Sequence, residues 1–417
     1  MPCTKLDGLR STVIRSIYYG WVMLGAVSVT EVVSWGILYY AFTVFIAPMQ
    51  SGLGWSRVAI TGGFSLALLC AGLAAVPVGR WLDRRGPRAL MTAGSCLGSL
   101  LLLAWSRVEQ LWVFYGIMAG IGTAMAAVLY EPAFAIVATW FRRQRHRALS
   151  ILTFFGAWAS VIFIPLSAWL VARLGWRAAL VVLAGLLALT TIPPHALVLR
   201  RRPQDLGLLP DGAPTEAKTA HPMPTDERSV PAHTALREGG FWRLAFAFAA
   251  SMFASVALTV HLIPYLVERG HRPSFAATVA GLLGLMSLAG RVIIGPLGDR
   301  YARRRVTAGL MGMQLAGLSI LAAAPTTIGA LAYVALFGAG SGTMTIMRAA
   351  LLAERYGPGH YGSISGVLSL VLTVARTLAP LGAGLLAAWL GGYPRLLWVL
   401  MGLVAAGLLA VLRVADP

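Results

Sequence analysis

Apolar residues in this chain run in long stretches broken by short polar segments, and the pattern continues from end to end. Stretches near 18–47, 57–79, 89–105, 110–141, 148–172 and 178–199 come first. They are followed by 242–267, 274–298, 306–323, 326–354, 361–388 and 395–412. Each spans most or all of a hydrocarbon core about 30 Å thick, which takes about 20 helical residues. In lipid every backbone N–H and C=O must find its partner within the segment, so runs of this length predict helices. The expected fold is an all-α membrane protein with twelve transmembrane helices. Between the sixth and seventh runs, Arg200 to Gly240 is polar and proline-rich, with Asp211-Gly-Ala-Pro214 and His221-Pro-Met-Pro224. Such a segment reads as a linker or loosely ordered loop. The division expected is a terminal segment at 1–17, a six-helix half at 18–199, the linker at 200–240 and a second half at 241–417.

The two halves read as copies. Gly79-Arg-Trp-Leu-Asp-Arg-Arg-Gly-Pro-Arg-Ala-Leu90 reads as a short basic loop that turns the chain straight back. A reduced version recurs 216 residues later as Gly295-Pro-Leu-Gly-Asp299-Arg300, followed by Arg303, Arg304 and Arg305. Pro165 matches Pro380 at an offset of 215, and Gly175-Trp-Arg matches Gly392-Tyr-Pro at 217. Two pseudo-symmetric halves related by an axis along the membrane normal place a cavity at their interface.

Composition narrows the class. The chain has 417 residues, 58% of them hydrophobic and 12% charged, against about 25% charged in a soluble domain. A net charge of +19 would suggest nucleic acid in a soluble protein. Here the basic residues cluster between the apolar runs, so the partner expected is the lipid bilayer and not nucleic acid. With both termini and the linker on the cytoplasmic side, that side carries 23 Lys and Arg and the opposite side seven. The positive-inside rule then orients a multi-pass protein of the inner or plasma membrane. Lys5, Arg10 and Arg15 precede a first run too long for a signal-peptide core, so it is expected to remain as a span. Cys3, Cys70 and Cys96 have no motif spacing, which supports neither a disulfide framework nor a thiolate metal site. HExxH, P-loop and paired-Cys motifs are absent from the sequence, so no enzyme activity, metal or cofactor is expected. A monomer is expected.

Twelve spans, a central linker and the 79–90 stretch resemble the major facilitator superfamily. Its signature loop after the second helix asks for Gly, Asp-Arg, Gly and a basic residue, supplied here by Gly79, Asp83, Arg84, Gly86 and Arg88. Pro87 departs from the pattern. The weaker second copy has Gly295, Asp299 and Arg300. Tyr19-Gly-Trp21, Tyr130-Glu-Pro-Ala-Phe134 and Ala289-Gly-Arg291 resemble the monocarboxylate-transporter-like branch. The resemblance implies secondary transport by alternating access, with the signature carboxylate latching the two halves and its adjoining arginines holding it. Read from the residues alone, Asp83 and Asp299 at helix ends suit capping of a neighbouring helix N-terminus. On the alternative reading the arginines only set topology.

Ionisable residues inside spans are expensive, and each is a candidate site. They are Glu31, Glu131, His261, Arg291, Arg348 and Arg376. Arg291 lies eight residues before Asp299, about 12 Å from that loop by helical rise. The resemblance implies that it pairs with a substrate carboxylate, a task suited to a planar guanidinium. The branch's acid one turn earlier is Ser287 here, and its first-helix lysine is replaced by Tyr40, so the ordinary proton-coupled lactate mechanism does not transfer directly. Tyr40 is a substrate-contact candidate only through that correspondence. Glu131 and Arg348 carry opposite charge at matching positions, offset 217, and are expected to pair across the cavity and open for substrate. Pro132 removes a donor beside them and should loosen that helix. Glu31, near mid-bilayer where charge is costly, suits a proton carrier or a permanently neutral acid. His261, a turn before Pro264, suits either substrate contact or the bonding of carbonyls that the proline frees. Arg376, four residues before Pro380, reads as a structural clamp. Gly116, Gly120, Gly338 and Gly342 read as close-packing positions. Together these predict a secondary transporter of a small organic anion, monocarboxylate-like, with protons as a candidate coupling ion. The alternatives are efflux of hydrophobic or cationic compounds, with Glu31 and Glu131 as cation sites, or a sensor without transport.

Overall fold

The computed structural model describes residues 18–212, 229–294, 301–324 and 326–414. Among these, twelve helices are long and apolar enough to cross a membrane. In the first half they are α1 Tyr19–Leu53, α2 Arg57–Arg85, α3 Pro87–Ser106, α4 Leu111–Trp140, α5 Arg145–Leu174 and α6 Trp176–Leu197. In the second they are α7 Gly239–Glu268, α8 Ser274–Ile293, α9 Arg303–Ala323, α10 Thr327–Tyr356, α11 Tyr361–Leu390 and α12 Tyr393–Leu412. Large apolar side chains cover the outside: Val58, Leu189, Ile328 and Trp389 are each more than three-quarters exposed. Such a surface is stable against acyl chains and not against water.

The packing repeats between halves. In the first, α1 packs on α5 and α6, α2 on α4, and α3 on α4 and α6. In the second, α7 packs on α11 and α12, α8 on α10, and α9 on α10 and α12. Adding six to each label of the first set gives the second. The halves meet through α2 against α11, α5 against α8 and α10, and α4 against α10 and α11.

Several helices differ from the apolar pattern. Gly79 to Arg85 is helix, not loop, because α2 runs on through Arg85. Gly86, at φ +77, stops it, and Pro87 opens α3 at its first position, where the missing N–H costs nothing. α4 breaks at extended Leu129 into Leu111–Val128 and Tyr130–Trp140. Pro132 explains the break, since it cannot donate to the carbonyl of Val128 four residues back. α1 contains a π segment, Gly36–Tyr40, which rotates everything beyond it. Gly116 has open space around it, so it is not a close-packing position. The first part of the linker is docked rather than loose. Asp211, in left-handed backbone at φ 61, accepts from the backbone N–H groups of Arg142 (3.1 Å), Arg143 (2.7 Å) and Gln144 (3.3 Å) ahead of α5.

Candidate functional site

Two layers of contact join the halves. The first lies at the linker-side end of α2. Asp83 Oδ1 accepts from the Gly362 N–H and Oδ2 from the Ser363 N–H, each at 2.8 Å. These donors are among the first N–H groups of α11, which have no partner within their own helix. The carboxylate therefore caps a helix of the opposite half and complements its dipole. Glycine makes the approach possible. A Cβ on Gly79 would collide with the Gly362 carbonyl, and one on Gly366 would collide with the Ala75 carbonyl. The adjoining arginines do not hold the carboxylate. Arg84 and Arg88 are exposed, and among the described residues neither is ion-paired to Asp83. Helical geometry is the reason, since each residue turns about 100° from the last and Arg84 leaves the α11 face. Gly86 instead lies against the Arg201 side chain, whose guanidinium donates to the Asp83 backbone carbonyl at 3.3 Å. Asp299 and Arg300 lie outside the described residues.

The second layer lies deeper. Arg348 Nη2 on α10 donates to Glu131 Oε1 on α4 at 2.9 Å. The Ser365 and Ser369 hydroxyls of α11 donate to Oε2 and Oε1. One carboxylate of the first half thus holds two helices of the second. Its position follows from the α4 break, which starts a new helix at Tyr130 and turns Glu131 inward. Arg291 of α8 makes the other crossing: Nη1 donates to the Thr153 carbonyl of α5 at 3.0 Å and Nε to the Gly342 carbonyl of α10 at 3.1 Å. Both acceptors are neutral, so the guanidinium keeps its whole charge.

Aromatic rings surround that charge. The Tyr130 hydroxyl stands beside the Arg291 guanidinium, and Tyr40 is within electrostatic reach of both Arg291 and Arg376. The Trp35 ring lies 5.2 Å from Tyr39, 6.3 Å from Tyr40 and 5.0 Å from Tyr130, centroid to centroid. The π segment of α1 gathers Tyr39 and Tyr40 onto this side. π insertions of this kind are frequent at functional sites. Glu31 is wholly buried, with the Trp35 indole nearby but short of a hydrogen bond to either oxygen.

His261 stands apart from this group. Its Nε2 donates to the Pro380 carbonyl at 3.0 Å, and its ring lies 5.6 Å from Tyr393. Sequence reasoning passed over Ser365 and Ser369, although two serines four apart in an apolar helix share a face. Tyr130 was visible only as part of a motif. His195 was also missed. It is fully buried, with Nδ1 at 3.2 Å from the Met91 carbonyl and 2.9 Å from Ser95 Oγ, and Nε2 at 3.0 Å from Thr30 Oγ1. It ties α6 to α3 and, through Thr30, to α1. Tyr19, by contrast, anchors the start of α1, its hydroxyl donating to the Val198 carbonyl at 2.8 Å.

Comparison with known proteins places this arrangement. The model of the Major Facilitator Superfamily matches residues 29–380 and 270–417. Monocarboxylate transporter 13 of Bos taurus is 27% identical over 389 residues, covering 90% of this chain and 83% of that protein. The uncharacterized MFS-type transporter YcxA of Bacillus subtilis is 24% identical over 395 residues, covering 90% of both. Among solved structures, the Major Facilitator Superfamily transporter FucP in the outward conformation superposes with a TM-score of 0.72. The match covers 96% of this chain and 100% of that one at 15% identity.

Proposed function

The chain belongs to the Major Facilitator Superfamily of transporters, and on that footing we propose that it moves a small organic anion, monocarboxylate-like, by alternating access. The observation that carries this reading is Arg291, a full cation held between halves by two neutral carbonyls. A half-buried guanidinium within a span and with no carboxylate partner is costly, and a substrate carboxylate relieves that cost with bidentate geometry. Tyr40 and Tyr130 complete the substrate contact. Glu131 and Arg348 form a pair that opens as the halves separate.

The Asp83 contact, with Gly79 and Gly86, serves as the latch of the state closed on the linker side. The distribution of basic residues supports assigning that side to the cytoplasm of an inner or plasma membrane. Glu31 is the candidate proton carrier, and His261 is assigned to hinge support rather than substrate contact. One observation favours the second reading, efflux of hydrophobic or cationic compounds: among the described residues Glu31 has no ion-pair partner, and it borders a wall of rings.

Uptake of labelled carboxylates into proteoliposomes, with and without an imposed pH gradient, tests the proposal. Arg291→Ala is expected to abolish carboxylate uptake with normal membrane insertion. Unchanged uptake by that variant refutes the anion reading, and uptake indifferent to the gradient refutes proton coupling.

A further inference from the structure

Arg376 is an ionisable residue deep within a span. It lies halfway along α11, fifteen residues from Tyr361 and fourteen from Leu390, so about 20 Å of helix separates it from either end. That is too deep for the side chain to reach water by snorkelling along the lipid face. The structural clamp expected from the sequence is not formed. Among the described residues its guanidinium has neither a hydrogen bond nor an ion pair, and the Pro380 carbonyl is bonded by His261 instead.

Register shows where Arg376 faces. It follows Ser369 by seven residues and Ser365 by eleven, which brings it back to nearly the same side of a 3.6-residue helix. Those two serines hold Glu131 of the opposite half. One turn before Arg376, Thr373 lies against Gly72 of α2, again in the opposite half. Arg376 therefore faces the interface, on the side of α11 that meets the first half, and Tyr40 is within its electrostatic reach.

Charge accounting then bears on the solute. Of the three arginines Arg291, Arg348 and Arg376, Arg348 is matched by Glu131. Arg291 meets only neutral groups among the described residues, two carbonyls and the Tyr130 hydroxyl, and among the same residues Arg376 has no hydrogen-bond or ion-pair partner. Arginine cannot shed its proton to relieve the cost. A monoanion neutralises one of the two remaining guanidinium groups and leaves the other half-buried and unmatched. We infer that Arg291 and Arg376 form a two-cation subsite around Tyr40, and that the preferred solute carries two carboxylates. The inference rests on the carboxylate reading of Arg291 and adds a second anchoring point to it.

The experiment uses the full chain in proteoliposomes and labelled dicarboxylates of two to five carbons, oxalate to glutarate. Each is paired with the monocarboxylate of equal length, so that succinate is set against butyrate. At least one dicarboxylate is expected to exceed its partner by about tenfold or more, the worth of a hydrogen bond to a charged group. Arg376→Gln is expected to remove that preference and leave monocarboxylate uptake within about twofold. Arg376→Lys, which keeps the charge but not the fork, should retain the preference with weaker affinity. A structural role would instead lower thermal stability and depress both solutes together, and that result overturns the inference. So does a wild-type protein that prefers the monocarboxylate or takes up no dicarboxylate of the series. If Arg291→Ala leaves all uptake intact, the underlying carboxylate reading fails. If Arg291→Ala abolishes uptake while Arg376→Gln keeps the dicarboxylate preference, only the second anchor fails.

Discussion

Two of the places where the halves touch are built from different materials. At the linker-side end of α2 the contact is backbone against backbone, with Gly79 and Gly362 too close for any side chain and Asp83 capping bare N–H groups. Deeper in, each contact is made by at least one long or polar side chain: Glu131 with Arg348, Ser365 and Ser369, and Arg291 with the Thr153 carbonyl. A glycine-backed contact has one geometry and is either formed or absent. Long side chains can exchange a protein partner for a solute without moving a helix. The first region therefore suits a latch with two states, and the second suits a site that trades its internal bonds for substrate.

Substitutions can break this contrast, and the largest effect belongs to the deeper layer. Glu131→Leu strands Arg348 in a partly buried position and should cost about 3 kcal/mol or more, seen as a lowered unfolding temperature in detergent. Adding Arg348→Met should restore stability but not transport, because the pair is required only for the cycle. Gly79→Val is next. Its side chain meets a backbone carbonyl that cannot step aside, so about 2 kcal/mol is lost from the linker-closed state alone. Cysteine pairs placed across α2 and α11 should cross-link far less readily, while unfolding temperature changes little. Asp83→Asn keeps an oxygen but loses its charge and sets an NH2 against a backbone N–H. A fall of about tenfold in transport rate with normal insertion is expected, and a fully active variant would remove the latch from the account. Tyr130→Phe should be the mildest, raising KM a few-fold through one lost hydroxyl contact to the site with kcat nearly unchanged.

Much of the fold could be read from the chain because lipid imposes a simple rule: each span must be apolar, helical and about 20 residues long. The offset of 217 between Glu131 and Arg348 anticipated their meeting, since duplicated halves bring equivalent positions to a shared axis. Asp83 was visible for a similar reason, as a carboxylate that topology alone does not require. What stayed hidden depended on rotation about helix axes. The π segment in α1 and the break at Leu129 decide which rings reach Arg291, and neither has a reliable signature in one sequence. Arg376 was misread because its neighbour Pro380 offered a local explanation, whereas its face becomes clear only once Ser365 and Ser369 are seen holding Glu131. The arginines beside Asp83 were expected to hold it, and the helical turn sends them elsewhere.

The most direct test is a distance measured across the latch while solute is present. Spin labels at Arg85→Cys and His360→Cys, with Cys3, Cys70 and Cys96 replaced, report the linker-side gap between α2 and α11 in lipid. Two populations are predicted, their ratio shifting when a transported carboxylate is added and ceasing to shift in Arg291→Ala. A single distance, unmoved by any transported carboxylate, would contradict the claim that the solute site and the latch belong to one motion.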